Sequence, residues 1–286
     1  MPELPEVHAL AADLDGRLRD RVIDRLDLLS FSALKTFDPP VSALAGHSIH
    51  SVKRHGKFLD LHVGDLHLVM HLARAGWIRW NDGTRSTPVR PGKSPVAARL
   101  LLDGGTGIDI TEAGTKKSLA IYLVQQVADV PGIARLGPDP LGAEFTLDAF
   151  SGILAAAGRA QVKGVLRNQS TIAGIGNAYS DEILHVAKMS PFKPAAMAED
   201  EAARLYDAVQ SRLREAIARS EGLAASELKK EKKSGMRVHG RAGEPCPVCG
   251  DTVRQVIFAD STLQYCPTCQ TGGKPLADRV LSRLLK

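Results

Sequence analysis

Two tight cysteine pairs near one end constrain this chain more than any other feature of it. Cys246-Pro247-Val248-Cys249 and Cys266-Pro267-Thr268-Cys269 hold all four cysteines of the 286 residues, with sixteen residues between the pairs. Two residues between ligands let one turn aim both thiolates at one metal. The intervening span suits a β-hairpin that brings the second pair round to close a tetrahedron. Val253, Val256 and Phe258 give that hairpin strand character. With four thiolates filling every position, the expected site is closed and structural and holds one Zn²⁺; a redox dithiol pair lacks the fold context. Such a hairpin leaves function open, because nucleic-acid and protein adaptors both carry one.

The rest of the chain is long enough for two or three compact units, and 44% hydrophobic content supplies their cores. No apolar run approaches the roughly 18 to 20 residues that cross a membrane. Met1 is followed at once by Pro2, Glu3 and Pro5 rather than a basic and then apolar stretch, so no secretory leader is read and a cytoplasmic, intracellular protein is expected. The net charge is +5. Lys229, Lys230, Lys232, Lys233, Arg237 and Arg241 fall within thirteen positions just ahead of the cysteines. Such a cluster suits a polyanion, since each neutralised phosphate releases counterions; taken alone it also suits a solvated connector.

Patterning divides the chain. Val7, Leu10, Leu14 and Leu18 recur at helical spacing behind Pro5, which is at home in a first turn. From Ile49 to about Leu123 the texture is that of strands: Leu59, Leu61 and Val63 alternate with Asp60 and His62, Gly64-Asp65 turns, and Leu66 to Leu72 runs back. Val96 to Leu102 and Ile108 to Thr111 follow, joined at Gly104-Gly105. An α+β fold is expected, with an N-terminal antiparallel β-sandwich and its helix over residues 1–130. Residues 131–143, rich in proline and glycine, read as a linker. Helical patterns follow over Leu147 to Ala157, Ala178 to Val186 and Met197 to Ser220, in a unit spanning 144–235. The cysteine unit occupies 236–272. In 273–286, Leu276, Val280, Leu281, Leu284 and Leu285 suggest a tail helix.

The N-terminus carries the other chemical signal. Removing Met1 exposes the ring nitrogen of Pro2 as a secondary amine. An α-amine has an ordinary pKa near 8, so an appreciable fraction is unprotonated and nucleophilic at neutral pH. Glu3 and Glu6 lie within reach, and a carboxyl group there can shuttle protons. The same residues also suit a plain helix start, since acids favour the positive end of its dipole.

In combination these motifs resemble the formamidopyrimidine-DNA glycosylase and endonuclease VIII family. The similarity rests on Pro2-Glu3-Leu4-Pro5-Glu6, on Lys57 within His55-Gly56-Lys57-Phe58-Leu59, and on Gly174-Ile175-Gly176-Asn177-Ala178-Tyr179 with Asp181-Glu182. Gly240-Arg241-Ala242-Gly243-Glu244-Pro245-Cys246 leads into the finger and completes the set, in the family's order and spacing from residue 2 to about 270. The Leu-Pro opening is closer to the formamidopyrimidine branch. The resemblance implies a β-sandwich, a helix–two-turn–helix domain and a zinc finger, with damaged DNA in the cleft between halves. It implies a monomer, with no small-molecule cofactor. It also implies a bifunctional glycosylase and AP lyase of base excision repair acting on damaged, chiefly oxidised, bases. Pro2 would be the nucleophile at C1′ and Glu3 the general acid/base. Glu6 would organise the pocket, and Lys57 would hold a phosphate or assist proton transfer. Asn177 would grip the backbone beside the lesion, and His71 sits where the family also contacts phosphate.

Several positions depart from the family. Its void-filling methionine run, His-Leu-Gly-Met-Ser-Gly, reads His71-Leu72-Ala73-Arg74-Ala75-Gly76 here. The partner loop, usually Asp-Pro-Arg-Arg-Phe-Gly, reads Glu112-Ala113-Gly114-Thr115-Lys116-Lys117-Ser118 and has no aromatic, so the void is either filled by something else, Arg74 with Lys116 or Lys117, or not filled well. The loop that covers oxidised guanine reads as a short, lysine-rich Ser226 to Met236. The arginine usual at the finger tip is replaced by Ser261 beside Asp260, with Lys274 or the 229–241 cluster as compensation. The altered void-filling loop and finger tip favour one alternative, a non-catalytic binder of damaged or unusual DNA, while the intact Pro2, Glu3 and Lys57 argue against it. A zinc-dependent adaptor for RNA or protein would leave the N-terminus without a purpose.

Overall fold

A computed structural model describes residues 1–83, 94–259 and 261–277. The chain forms two compact units, one of Met1–Arg135 with Ser220–Lys229, the other of Leu136–Arg219 with Lys230–Lys286. The division falls inside the stretch read as a linker, but Ser220–Lys229 groups with the first unit and not with the helical region.

In the first unit, helix α1 (Leu4–Leu18) opens with Pro5 in its first turn. Strands β1 (Ile23–Leu28), β2 (Ile49–His55), β3 (Phe58–Val63), β4 (Leu66–His71) and β5 (Gly76–Asn81) follow, then β6 (Val96–Leu102), β7 (Gly107–Glu112) and β8 (Ala120–Val124). They make two antiparallel four-stranded sheets, ordered β1-β6-β7-β5 and β2-β3-β4-β8. Alternate residues of both sheets, among them Leu59, Leu61, Leu68, Met70, Leu100, Ile108 and Ile110, share one core with Val7, Leu10, Leu14 and Leu18 of α1. That is the expected sandwich with its flanking helix, held mainly by apolar area withdrawn from water.

Two readings are corrected here. Alternation sets Asp60 on the face opposite Leu59 and Leu61, yet it is only 2% exposed. Its face of the sheet is roofed by Val130 and Ile133, which pack on Phe58, Val69, Tyr122 and Val124, so β3 and β4 are covered on both sides. The buried carboxylate survives because His55 Nε2 lies 3.1 Å and His67 Nδ1 2.8 Å from its oxygens. Burial pushes its pKa up, but those two histidines outweigh burial and hold it below the ordinary value. The second correction concerns Ser226 to Met236, read as a lysine-rich loop or connector: Leu228–Gly235 is helical, and Leu228 is fully buried in the sandwich core.

The second unit contains α2 (Leu147–Ala157), α3 (Val162–Arg167), α4 (Asn177–Val186) and α5 (Glu199–Ser220), then α6 (Leu228–Gly235), whose first two residues belong to the first unit. Hairpin β9 (Arg254–Ile257) and β10 (Thr262–Tyr265) and helix α7 (Pro267–Thr271) complete the finger. Leu205, Val209 and Leu213 of α5 are buried, as their spacing requires. Of the tail, Leu276 packs on the finger's Val256, Leu263 and Tyr265, and its N–H donates to the Tyr265 hydroxyl at 2.8 Å. Residues 273–277 are not helical, and the remaining tail positions lie outside the described residues. No helix among the described residues is long and apolar enough to cross a membrane.

Candidate functional site

The N-terminal motif does build a helix start. Glu3 is the N-cap of α1, and the Glu3 N–H donates to Glu6 Oε2 at 2.8 Å while the Glu6 N–H donates to the Glu3 carboxylate. This reciprocal box satisfies two of the backbone donors that every helix N-terminus leaves over. It also fixes both carboxylates beside Pro2. Pro2, Glu3 and Glu6 are all buried, Glu3 and Glu6 at 2% exposure, while Met1 is 47% exposed. The structural and the chemical readings of this motif are therefore compatible: the cap is what holds the acids in place.

Lys57 stands at the turn of the β2–β3 hairpin, where His55 pairs with Phe58. Gly56, with φ +55°, supplies the left-handed step that such a two-residue turn needs. The Lys57 side chain is buried, at 6% exposure. Its charge reaches His71: burial first, and then Lys57, pushes the His71 imidazole down to about 4. His71, whose ring lies 4.7 Å from that of Phe58, is therefore neutral at pH 7 and can meet a phosphate only as a hydrogen-bond partner. Because the folded pKa lies below the unfolded value of 6.5, the fold resists protonation, and this site costs stability as pH falls from about 6.5 toward 4. An NMR titration is expected to place the His71 midpoint near 4; a midpoint near 6.5 would show that the ring is not shielded as described.

Arg74 is exposed at the tip of a tight loop, Leu72 to Gly76, closed by the Gly76 N–H donating to the Leu72 carbonyl at 2.8 Å. Ala73 has φ +49°, and a Cβ on Gly76 would stand 2.1 Å from the Leu72 carbonyl oxygen, so glycine is required there. The loop carrying Lys116 and Lys117 lies alongside, with the Ala113 N–H donating to the Ala75 carbonyl at 3.2 Å. Buried Glu112 closes that loop by accepting from the Ser118 and Leu119 N–H groups at 2.6 and 2.9 Å. Lys116 is exposed; the Lys117 ammonium is 2.7 Å from the Glu112 carbonyl. Arg74 and Lys116 are thus exposed on neighbouring loops, while Lys117 folds back on its own loop.

Asn177 is the first residue of α4, and its Nδ2 donates to the Thr262 carbonyl of β10 at 2.7 Å. Its Oδ1 is buried without a partner. The side chain therefore ties helix to finger in addition to any role toward a ligand. Sequence reasoning missed the network behind it. Glu182, fully buried, accepts from the N–H groups of Arg237, Val238 and His239 at 2.8 to 2.9 Å. Asp181 accepts from buried Lys163 at 2.6 Å, and its other oxygen lies 2.7 Å from His239 Nδ1. Only the Asp181-Glu182 dipeptide hinted at this; Lys163, Arg212 and the 237–239 backbone carry no local signal. Glu182→Ala would leave three N–H groups without their acceptor and take one of its partners from buried Arg212, which keeps Glu215 and the Gly235 carbonyl, a loss of about 3 kcal/mol or more. A lowered urea midpoint is the expected result, and a midpoint within error of the parent's would refute the anchoring role.

The four cysteine sulfurs lie within 4.8 Å of one another, with separations of 3.4, 3.5 and 3.9 Å between Cys249 and Cys266, Cys249 and Cys269, and Cys246 and Cys269. A tetrahedron with arms of about 2.3 Å has edges near 3.8 Å, so the cluster fits one structural zinc. Cys246 and Cys266 are buried. His185 Nε2 lies 3.3 Å from Cys246 Sγ, which suits an N–H that steadies a metal-bound thiolate. Asp251 joins the two knuckles by accepting from the Thr268 N–H and hydroxyl at 3.2 and 2.8 Å. At the hairpin tip the Phe258 N–H donates to the Ser261 carbonyl at 2.8 Å, while Asp260 lies outside the described residues. Lys274 is exposed just beyond α7.

Comparison with known proteins matches this architecture part by part. Residues 1–113 match a family model described as the formamidopyrimidine-DNA glycosylase N-terminal domain, 136–227 the formamidopyrimidine-DNA glycosylase H2TH domain, and 243–272 a zinc finger found in FPG and IleRS. A relative described as formamidopyrimidine-DNA glycosylase, from Moorella thermoacetica, is 34% identical over 265 residues, covering 90% of this chain and 94% of its own. A shorter one from Mycobacterium tuberculosis, described as an uncharacterized formamidopyrimidine-DNA glycosylase-like protein, is 55% identical over 161 residues, 56% of this chain and all of its own. Among solved structures, the MutM (Fpg) protein of Thermus thermophilus is similar with a TM-score of 0.80 at 29% identity, covering 96% of this chain and 100% of that one. Lactococcus lactis Fpg non-covalently bound to DNA containing an AP site has a TM-score of 0.81 at 26% identity, covering 94% and 99%.

Proposed function

From the premise that the chain belongs to the formamidopyrimidine-DNA glycosylase family, we propose that it excises oxidised bases and then cuts the strand as an AP lyase. The observation that carries this reading is the buried Pro2 held against the Glu3–Glu6 box, in the same unit as buried Lys57. Once Met1 is removed, the Pro2 nitrogen lone pair attacks C1′ of the flipped nucleoside. The bond from C1′ to the base breaks, and the base leaves with that electron pair and a proton. A carboxyl group at Glu3 supplies a proton to the ring oxygen O4′ as the sugar opens, leaving an iminium between Pro2 and C1′. Loss of a C2′ proton to the Glu3 carboxylate then expels the 3′ phosphate by β-elimination, and water releases the enzyme.

Lys57 holds a phosphate near the reacting sugar, and Glu6 keeps Glu3 in place through the cap. Asn177, at the start of α4, offers backbone N–H groups to a phosphate at the helix N-terminus. Arg74 with Lys116 occupies the place of the departed base; a guanidinium can stack there and also hydrogen-bond the orphaned opposite base. Extracting a stacked base costs a few kcal/mol, which phosphate contacts offset, so binding is expected to weaken steeply with salt.

The test is a panel of duplexes, each carrying one oxidised purine or pyrimidine, with release of the free base measured under single-turnover conditions. Release from at least one oxidised base, accompanied by strand scission, supports the reading. Tight lesion binding without base release from any duplex would point to a non-catalytic binder instead.

A further inference from the structure

A cavity in the sandwich unit joins two indole rings to cationic side chains. It encloses about 500 Å³ and is lined by Arg17 of α1, by Trp77, Arg79 and Trp80 of β5, and by Lys229 at the start of α6. Arg17 lies thirteen residues beyond Leu4 on a helix that rises about 1.5 Å per residue, so the cavity is roughly 20 Å along α1 from the Pro2 end. It is a separate place from the candidate active site.

Three features of the cavity converge. First, it is aromatic: Trp77 forms an inner wall, its Nε1 donating to the Ala225 carbonyl at 3.0 Å, and Trp80 lines the cavity while 37% exposed. Second, it is cationic. Among the described lining residues Asp13 is the one acid, and it is paired with Arg17 at 2.7 Å. Arg79 and Lys229 therefore add positive charge that no carboxylate among those residues offsets. Third, the cations are already placed against the rings: Arg17 lies 5.4 Å from the Trp80 ring centre and Lys229 4.5 Å from that of Trp77. Burial and the neighbouring Arg79 push the Lys229 ammonium down, so an anion entering the cavity would relieve the repulsion there. The cavity thus combines an exposed ring, Trp80, with two neighbouring like charges, Arg79 and Lys229, at the Trp77 wall. A planar base with an attached phosphate answers both, by stacking and by neutralisation.

We propose that this cavity binds an unpaired nucleotide, the base stacking on Trp80 and the phosphate meeting Arg79 and Lys229, whether as free mononucleotide or as part of a single strand. The assignment stands apart from whether Pro2 performs chemistry.

Both tryptophans of the sequence line this cavity, so intrinsic fluorescence of the full, zinc-loaded chain reports on it directly. Inorganic phosphate, thymidine monophosphate and an undamaged oligothymidylate of about ten nucleotides serve as probes. Saturable quenching by the mononucleotide and the oligomer, with none from phosphate, is the expected result. Trp80→Ala, with Trp77 still reporting, should weaken binding by at least about fivefold, the lower end for losing one stacked base. Arg79→Ala, a change at an exposed position, should weaken it as well and flatten its salt dependence. Trp80→Phe retains a stacking face and should keep most of the affinity, while Trp80→Ala should still form the borohydride adduct on an abasic duplex. Oligomer affinity more than tenfold above that of the mononucleotide would identify a strand as the source; equal affinities would identify the free nucleotide. Absence of saturable quenching would overturn the proposal. So would quenching by phosphate equal to that by the mononucleotide, or quenching unchanged in both Trp80→Ala and Arg79→Ala.

Discussion

Pro2→Gly should lower single-turnover base release by at least about a hundredfold while leaving affinity for an abasic-analogue duplex within a few-fold of the parent. Glycine also offers an α-amine after removal of Met1, but a primary, freely rotating one in place of a secondary nitrogen fixed in a ring. Pro2 precedes the cap residue Glu3, so its ring is not needed for the Glu3–Glu6 box, and α1 should form unchanged. Binding should persist because the phosphate contacts proposed for Lys57 and Asn177, and the void-filling role proposed for Arg74 with Lys116, do not depend on the Pro2 ring. Parent-like turnover in Pro2→Gly would remove the proline from the mechanism.

The other large effect concerns the finger. Changing both Cys246 and Cys249 to serine removes two of four ligands, one of them buried beside His185. Structural zinc in finger peptides contributes apparent binding energies on the order of 10 kcal/mol, which is also their folding energy. The hairpin β9–β10 has a small core of Val256, Leu263 and Tyr265 and would not persist without the metal. Asn177 would then lose the Thr262 carbonyl that fixes it, and the backbone held by Glu182 leads straight into the lost knuckle. Expected results are a chain without zinc and duplex affinity reduced by at least about tenfold, the equivalent of losing one or two phosphate contacts. Tight duplex binding by the zinc-free variant would sever the finger from DNA recognition.

Much of this was legible in the sequence, and the parts that were not share a physical cause. The cysteine cluster is set by spacing within each pair, a local property, and the four sulfurs indeed converge. The hairpin of β3 and β4 was readable from alternation and the Gly64-Asp65 turn. Alternation failed at Asp60 because the residues that roof its face, Val130 and Ile133, are some seventy positions away, and only their packing buries it. Strand β1, Ile-Asp-Arg-Leu-Asp-Leu, escaped because its charged residues mask it and its burial does not alternate. Helix α6 was read as loop because five of its eight residues are lysine or glutamate. It is held by Leu228 in the core, Lys229 over Trp77 and Glu231 paired with Arg219 at 2.6 Å, none of which is visible locally.

At the site, Pro2, Glu3 and Glu6 were legible because the chain's first residues place them together whatever the fold. The support for Asn177 and the finger was not. Asp181 and Glu182 gather Lys163, Arg212 and the 237–239 backbone from across the unit, a convergence only the fold creates. His71 illustrates the same limit in electrostatics: the sequence offers a histidine that could meet phosphate, and burial beside Lys57 makes it a neutral one.

The most direct test of the central claim is to treat the protein with borohydride on a duplex containing an abasic site, then locate the adduct by peptide mass mapping. A covalent adduct on residue 2, absent from Pro2→Gly or strongly diminished in it, is the expected result for protein shown to have lost Met1. An adduct mapped to a lysine, or no adduct at all from such protein, would contradict a mechanism built on the N-terminal proline.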